Sequence, residues 1–122
     1  MTCDFYTDTG KTIELKTDFY SVEATPNLFI ERWSVHEKQK PGGPWQSQEK
    51  GIDYFVYMYL PSLVVYTFPV AELVTRLETL IPNIAPFPVK NQGFTTVGYR
   101  VARDLVIDLA TVSKMTVSLK TS

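Results

Sequence analysis

Cysteine and histidine are nearly absent: the chain carries one of each, Cys3 and His36. An internal disulfide is therefore excluded. So is a zinc-finger-type centre, which needs four ligands of the cysteine and histidine kind. Neither sign of charge dominates, with 12 Lys+Arg against 13 Asp+Glu and a formal net charge of −1. That balance argues against a protein that coats nucleic acid by bulk attraction, while leaving room for a local basic groove. No apolar run in the sequence approaches the roughly 20 residues of a membrane-spanning helix, so no membrane partner is expected. The opening MTCDFYTDTG has no basic patch followed by an apolar stretch, so no signal peptide is expected, and a reducing, cytoplasmic setting is the simplest expectation.

What is present fits an ordinary globular chain. Of 122 residues, 44% are hydrophobic and 20% charged, a composition that can bury a core without staples, and the length predicts a single domain over 1–122. Residues 2–7 and 12–18 alternate polar and apolar around Asp8-Thr9-Gly10, the pattern of a β-hairpin with glycine at a positive-φ position. Residues 27–35 (NLFIERWSV) predict a third strand, and 36–46 a loop marked by Pro41-Gly42-Gly43-Pro44. The spacing of Ile52, Phe55, Val56 and Tyr59 predicts a helix from about Ser47, as N-cap, to Tyr59, stopped by Pro61. Residues 63–68 predict a buried strand. A second helix follows Pro69 as first helical residue, with an apolar stripe of Val70, Leu73, Val74, Leu77, Leu80 and Ile81 and a Glu72–Arg76 pair one turn apart. Residues 82–93 read as a Pro-rich connection, 95–101 as a strand, 102–113 as helix or strand, and 115–119 as a last strand. The order ββ-β-α-β-α-β predicts an α/β (α+β) fold.

The hairpin carries the chemistry. A loop centred on Thr9 pairs residues whose numbers sum to about 18, so Cys3 faces Leu15, Phe5 faces Ile13, Asp4 faces Glu14, Tyr6 faces Thr12 and Thr2 faces Lys16. Period-two alternation then puts Cys3, Phe5, Ile13 and Leu15 on one face, and Thr2, Asp4, Tyr6, Thr12, Glu14 and Lys16 on the other. Opposed side chains stand roughly 4.5–5.5 Å apart at Cβ, so the Asp4 and Glu14 carboxylates repel each other unless a cation lies between them. Mg²⁺ accepts oxygen ligands and keeps several waters, so these two carboxylates, with the carbonyl of Leu15, suffice to hold it; Mn²⁺ is the natural substitute. The ammonium of Lys16 is placed to hold a water or to oppose charge on a phosphate. The plain alternative is a solvated polar sheet face on which Lys16 neutralises two acids.

At these residues the chain resembles the PD-(D/E)XK nuclease superfamily, whose core is an Asp on one strand followed by (D/E)-x-K on the paired strand. Asp4 and Glu14-Leu15-Lys16 match that motif. The ordered set GKTIELKTD, NLFIE, KPGGPW, GIDYFVYMYL and VVYTFPVAELV, spanning about residues 1–81, is similar to small phage and bacterial nuclease-like proteins of that superfamily. The resemblance implies a restriction-endonuclease-like mixed central sheet starting with a β-hairpin and flanked by two main helices. It also implies Mg²⁺-dependent endonuclease or exonuclease chemistry on DNA, and host cytoplasm as the location if the source is a phage. Asp4, Glu14 and Lys16 would be catalytic, with Asp4, Glu14 and Leu15 on the metal. Many members carry a helix before the first strand, which this sequence, starting almost at Asp4, is expected to lack.

Other residues have two readings each. Glu31 is a further metal or water ligand, or a solvated strand-end acid paired with Arg32. Lys38, Lys40 and Lys50, with Trp45 and Gln46, form either a basic loop whose aromatic stacks on a base or a solvated loop. His36 reads as an exposed loop residue, and Asp53 as an acidic position within the first helix. Three functional classes follow: a DNA nuclease; a nuclease-fold protein without catalysis that binds nucleic acid or a protein partner; and a small interaction protein, whose 13% aromatic content would line a homodimer interface.

Overall fold

The computed structural model describes residues 3–114; Thr2 and the strand expected over 115–119 lie outside the described residues. Strands β1 (Phe5–Tyr6) and β2 (Thr12–Asp18) form the opening hairpin. Its register is Phe5 opposite Ile13 and Tyr6 opposite Thr12, the pairing that the alternation requires. Gly10, at φ +83°, supplies the left-handed turn residue, which a side chain would make costly. Strand β3 (Asn27–Val35), a short β4 (Lys40–Pro41) and helix α1 (Gly43–Glu49) follow. Then come β5 (Tyr54–Tyr59), β6 (Val64–Pro69), helix α2 (Val70–Leu80), β7 (Phe87–Asn91), β8 (Phe94–Ala102) and β9 (Thr111–Lys114).

The strands make two sheets, so the fold is α+β with mostly antiparallel pairing. One sheet has the order β1-β2-β5-β6-β9 and the other β4-β3-β8-β7. Only β2 and β5 run parallel among the described strands, with Glu14 beside Phe55 and Lys16 beside Tyr57. The chain between them returns through β3 and α1, as parallel neighbours require a crossover. The main core lies on the face of β5 that carries Phe55, Tyr57 and Tyr59, closed by Leu28 and Ile30 of β3 and Leu73 and Leu77 of α2. Val56 and Met58 point to the opposite face, where they pack with Val65 of β6 and are flanked by Ile13 and Leu15 of β2. The even-numbered side chains of β2 (Thr12, Glu14, Lys16, Asp18) therefore share a face with the main core and form its polar edge.

Several expectations are corrected. The helix expected over 47–59 is a helix that ends at Glu49 and a strand that begins at Tyr54. The helical spacing of Ile52, Phe55, Val56 and Tyr59 misleads because a strand buried on both faces is apolar at nearly every position. Gly51, at φ +71°, and the aromatic run of 54–59 mark the boundary. Ser47 is not an N-cap but an interior helix residue whose hydroxyl donates to the Gly43 carbonyl at 3.3 Å. Pro69 ends β6 in extended conformation and occupies the N-cap position of α2, not its first turn. The Glu72–Arg76 pair gives way to a tertiary one: Arg76 meets Asp108 with both guanidinium arms at 2.8 and 2.9 Å. The Pro-rich 82–93 connection contains β7, which pairs with β8 through a turn at Gly93. Residues 103–109 form two 3₁₀ turns before β9 adds to β6. Phe5 does not bury with Ile13 and Leu15 but stands 54% exposed, and Cys3 packs on the main core.

Candidate functional site

The site begins with the hairpin. Asp4 sits just before β1, where its N–H donates to the Ile13 carbonyl at 2.9 Å and its carboxylate accepts the Leu15 N–H at 2.7 Å. That bond fixes the Asp4 side chain toward Glu14. The Glu14 carboxyl is raised above the usual carboxylate range, first by burial and then by repulsion from Asp4, while Lys50 pulls the other way. Lys50 reaches Glu14 at 3.5 Å, with 35% of the lysine side chain and 20% of the glutamate side chain exposed. A half-buried acid facing a second acid is an arrangement that costs stability unless a cation offsets it.

A cleft of about 180 Å³ collects Glu14, Lys16 and Glu31 with Gln46, Ser47 and Phe55. It lies where β2, β3 and α1 converge. Two glycines shape its wall. A Cβ on Gly42 would come within 2.2 Å of the Glu31 carboxylate, and a Cβ on Gly43 within 2.5 Å of the Glu31 backbone oxygen. Gly43 also holds φ +49°, so the Pro41-Gly42-Gly43-Pro44 turn lets α1 start directly against Glu31. Among the described residues no three Asp, Glu, His or Cys side chains are gathered tightly enough to form a ready ligand cluster. Asp4 and Glu14 form one acidic pair; Glu31 lines the cleft with Glu14, while Asp4 does not line it.

Two residues lock β2 in place. Asp53, in the turn before β5 and not in a helix, accepts both the Thr12 N–H at 2.9 Å and the Thr12 hydroxyl at 3.1 Å. These bonds hold its carboxyl below the ordinary range. In return the Thr12 hydroxyl oxygen accepts the Asp53 N–H at 3.0 Å. At the other end of the strand, the Tyr57 hydroxyl donates to Asp18 and accepts the Phe29 N–H at 3.0 Å. Burial, then the Asp18 bond, pushes the Tyr57 phenol well above its ordinary value. Glu14 and Lys16 are thus carried on a strand pinned at both ends.

The loop expected to meet a nucleic-acid backbone divides. Trp45 is only 5% exposed and its indole N–H donates to Glu78 at 3.2 Å, so it is a core side chain and not a stacking platform. Lys50 turns inward to Glu14, and Gln46 lines the cleft. Lys38 and Lys40 lie exposed with His36 on the 36–40 turn and do not line this cleft. Asp18, Tyr57 and the Asp53–Thr12 bracket were missed as contributors. Asp18 was legible, since E-x-K-x-D along β2 places it on the face of Glu14 and Lys16. No helix among the described residues is long and apolar enough to cross a membrane. No family model, curated protein or solved structure matches the chain.

Proposed function

We propose that the protein is a divalent-metal-dependent nuclease that hydrolyses phosphodiester bonds of DNA at the cleft beside the hairpin. The observation that carries this reading is the opposed Asp4 and Glu14 pair, with Glu14 held at a raised proton affinity and Lys16 on the same strand face. Two oxygen-only donors that repel one another fit Mg²⁺ or Mn²⁺, which keep waters in the remaining positions. Asp4 and Glu14, with the Leu15 carbonyl, would hold the ion. Such an ion, when bound, lowers the pKa of a water and offsets charge on a phosphoryl oxygen. Lys16 lies beside the acids and donates from its ammonium to the attacking water or to a non-bridging phosphate oxygen. Glu31 and Gln46 face the same space and orient that water. Hydrolysis forms one bond from the water oxygen to phosphorus, breaks one ester P–O bond, and passes the water's proton to the leaving oxygen. The resemblance to PD-(D/E)XK nucleases supports the same assignment, because Asp4, just before β1, precedes Glu14-Leu15-Lys16 on the antiparallel partner β2 in its order.

A second reading rests on the Lys50–Glu14 contact at 3.5 Å. A lysine there neutralises the acid without a metal, as in a nuclease-like protein that binds nucleic acid or a protein partner but does not cut. Nicking of supercoiled DNA over a Mg²⁺ and Mn²⁺ series separates the two. The nuclease reading expects cleavage by the wild type, lost in Glu14→Ala and in Lys16→Ala with the circular dichroism spectrum retained. Undiminished cleavage by both variants would contradict the site. DNA binding without cleavage at any metal concentration would favour the second reading.

A further inference from the structure

A larger cleft, of about 370 Å³, opens on the far side of Lys16. Lys16 and Phe29 line both this cleft and the acidic one, so the two adjoin at Lys16. Phe19 and Tyr20 stand at its rim, 77% and 68% exposed, the most exposed large apolar side chains among the described residues. On the facing sheet, Phe87 packs edge-on against Phe29 at 5.9 Å, and the Arg100 guanidinium lies over the Phe87 ring at 4.1 Å. The strand pairing puts Phe29 opposite Arg100 and Phe87 opposite Gly98. Gly98 has no side chain to hold Phe29 away, and a Cβ there would come within 2.4 Å of its ring. The cleft is thus walled by aromatic rings from two sides, with a cation on each side, Lys16 and Arg100. Its one acid, Asp18, is already engaged by the Tyr57 hydroxyl and, at 2.9 Å, by the Tyr20 N–H.

We propose that this cleft receives an unpaired base of the nucleic-acid strand whose phosphate lies at Lys16. This rests on the nuclease reading for the position of the phosphate, but not for the act of cutting. Aromatic faces bind bases of any sequence by stacking, and a guanidinium layered on a ring extends the stacking surface while meeting the backbone charge. A volume of this size lies in the range of pockets that take small planar ligands. A paired base cannot reach such a pocket without leaving its stack. The enzyme therefore prefers single strands, ends or mismatches over an intact duplex.

Fluorescence anisotropy with labelled 12-nucleotide probes tests this in Ca²⁺, scored separately from cleavage in Mg²⁺. One probe is single-stranded and the other a fully paired, blunt-ended duplex of the same sequence. The expected result is tighter binding of the single strand, reduced about 5- to 150-fold by Tyr20→Ala or Phe87→Ala, and unchanged by Phe94→Ala, an exposed aromatic outside the cleft. Glu14→Gln is expected to keep the single-strand preference while losing cleavage. Equal binding of the two probes, or wild-type affinity in both Tyr20→Ala and Phe87→Ala, would overturn the pocket even if the wild type cuts DNA. Pocket-dependent binding by a wild type that never cuts would uphold the pocket and contradict the nuclease reading instead. Both variants replace exposed side chains, and circular dichroism verifies that each is folded.

Discussion

Replacing Glu14 by glutamine is expected to make the metal-free protein more stable, not less. The substitution keeps shape and removes one charge from a pair. Glu14 is raised in proton affinity by burial and by Asp4, so its ionised form costs the folded state free energy. Two like charges at the ~5 Å spacing of opposed strand residues repel by about 3 kcal/mol at an effective dielectric of 20, and by about 0.8 kcal/mol in water. Against that stands the loss of the Lys50 contact at 3.5 Å; a partly exposed pair of this kind is worth about 0–1 kcal/mol. The balance favours Glu14→Gln by about 1 kcal/mol, or ~3–5 °C in Tm for a chain of this size. The pH dependence follows from the direction of the shift. Below the ordinary glutamate value the carboxyl is protonated in both states and the two proteins differ least. The gap opens as pH rises from the ordinary value toward the raised folded value and is complete above the latter. Magnesium reverses the order, since binding at 100 times Kd stabilises the wild type by about 2.7 kcal/mol and leaves Glu14→Gln nearly unmoved. Differential scanning calorimetry in EDTA and in Mg²⁺, from pH 4 to 8, reads all of this. A Glu14→Gln protein less stable than wild type in EDTA at neutral pH would refute the reasoning.

Three further outcomes are expected. Asp53→Ala removes the acceptor for both Thr12 donors and should lower Tm and cleavage together, with Asp53→Asn milder; unchanged melting would show that the bracket does not hold β2. Gly43→Ala sets a Cβ within 2.5 Å of the Glu31 oxygen at φ +49° and should cost more than about 1 kcal/mol in urea unfolding; a neutral effect would mean α1 can move away from β3. Trp45→Phe removes the indole donor to Glu78 and should cost about 1 kcal/mol in stability with nucleic-acid affinity intact; weakened binding with unchanged stability would restore Trp45 to the interface.

The hairpin was legible in the sequence because only one register sorts Ile13 and Leu15 from Glu14 and Lys16, and a one-residue slip would put charge on Val56 and Met58. Helix α2 was legible for the same reason: Val70, Leu73, Val74 and Leu77 need one face and the structure buries them together. Strand β5 was hidden because both its faces are covered, which erases the period-two signal. Strand β7 was hidden by its prolines and by exposure along its whole length; it is held by pairing with β8 and not by burial. Within the site, the opposition of Asp4 and Glu14 followed from local pairing, since both lie in one hairpin. Lys50, Asp53 and Tyr57 enter through contacts between residues distant in sequence, such as Thr12 with Asp53 and Lys50 with Glu14. No local spacing encodes those contacts. The same distance explains why Trp45, which looks like an exposed loop aromatic, is instead buried against α2.

The proposed chemistry depends on Asp4 and Glu14 sharing a divalent cation. A crystal soaked in Mn²⁺ and measured for anomalous scattering tests it most directly. An anomalous peak is expected between the two carboxylates, with the Lys50 ammonium displaced from Glu14 and the peak lost in Glu14→Gln. No peak at the hairpin in a soaked crystal, with Lys50 still on Glu14, would contradict it.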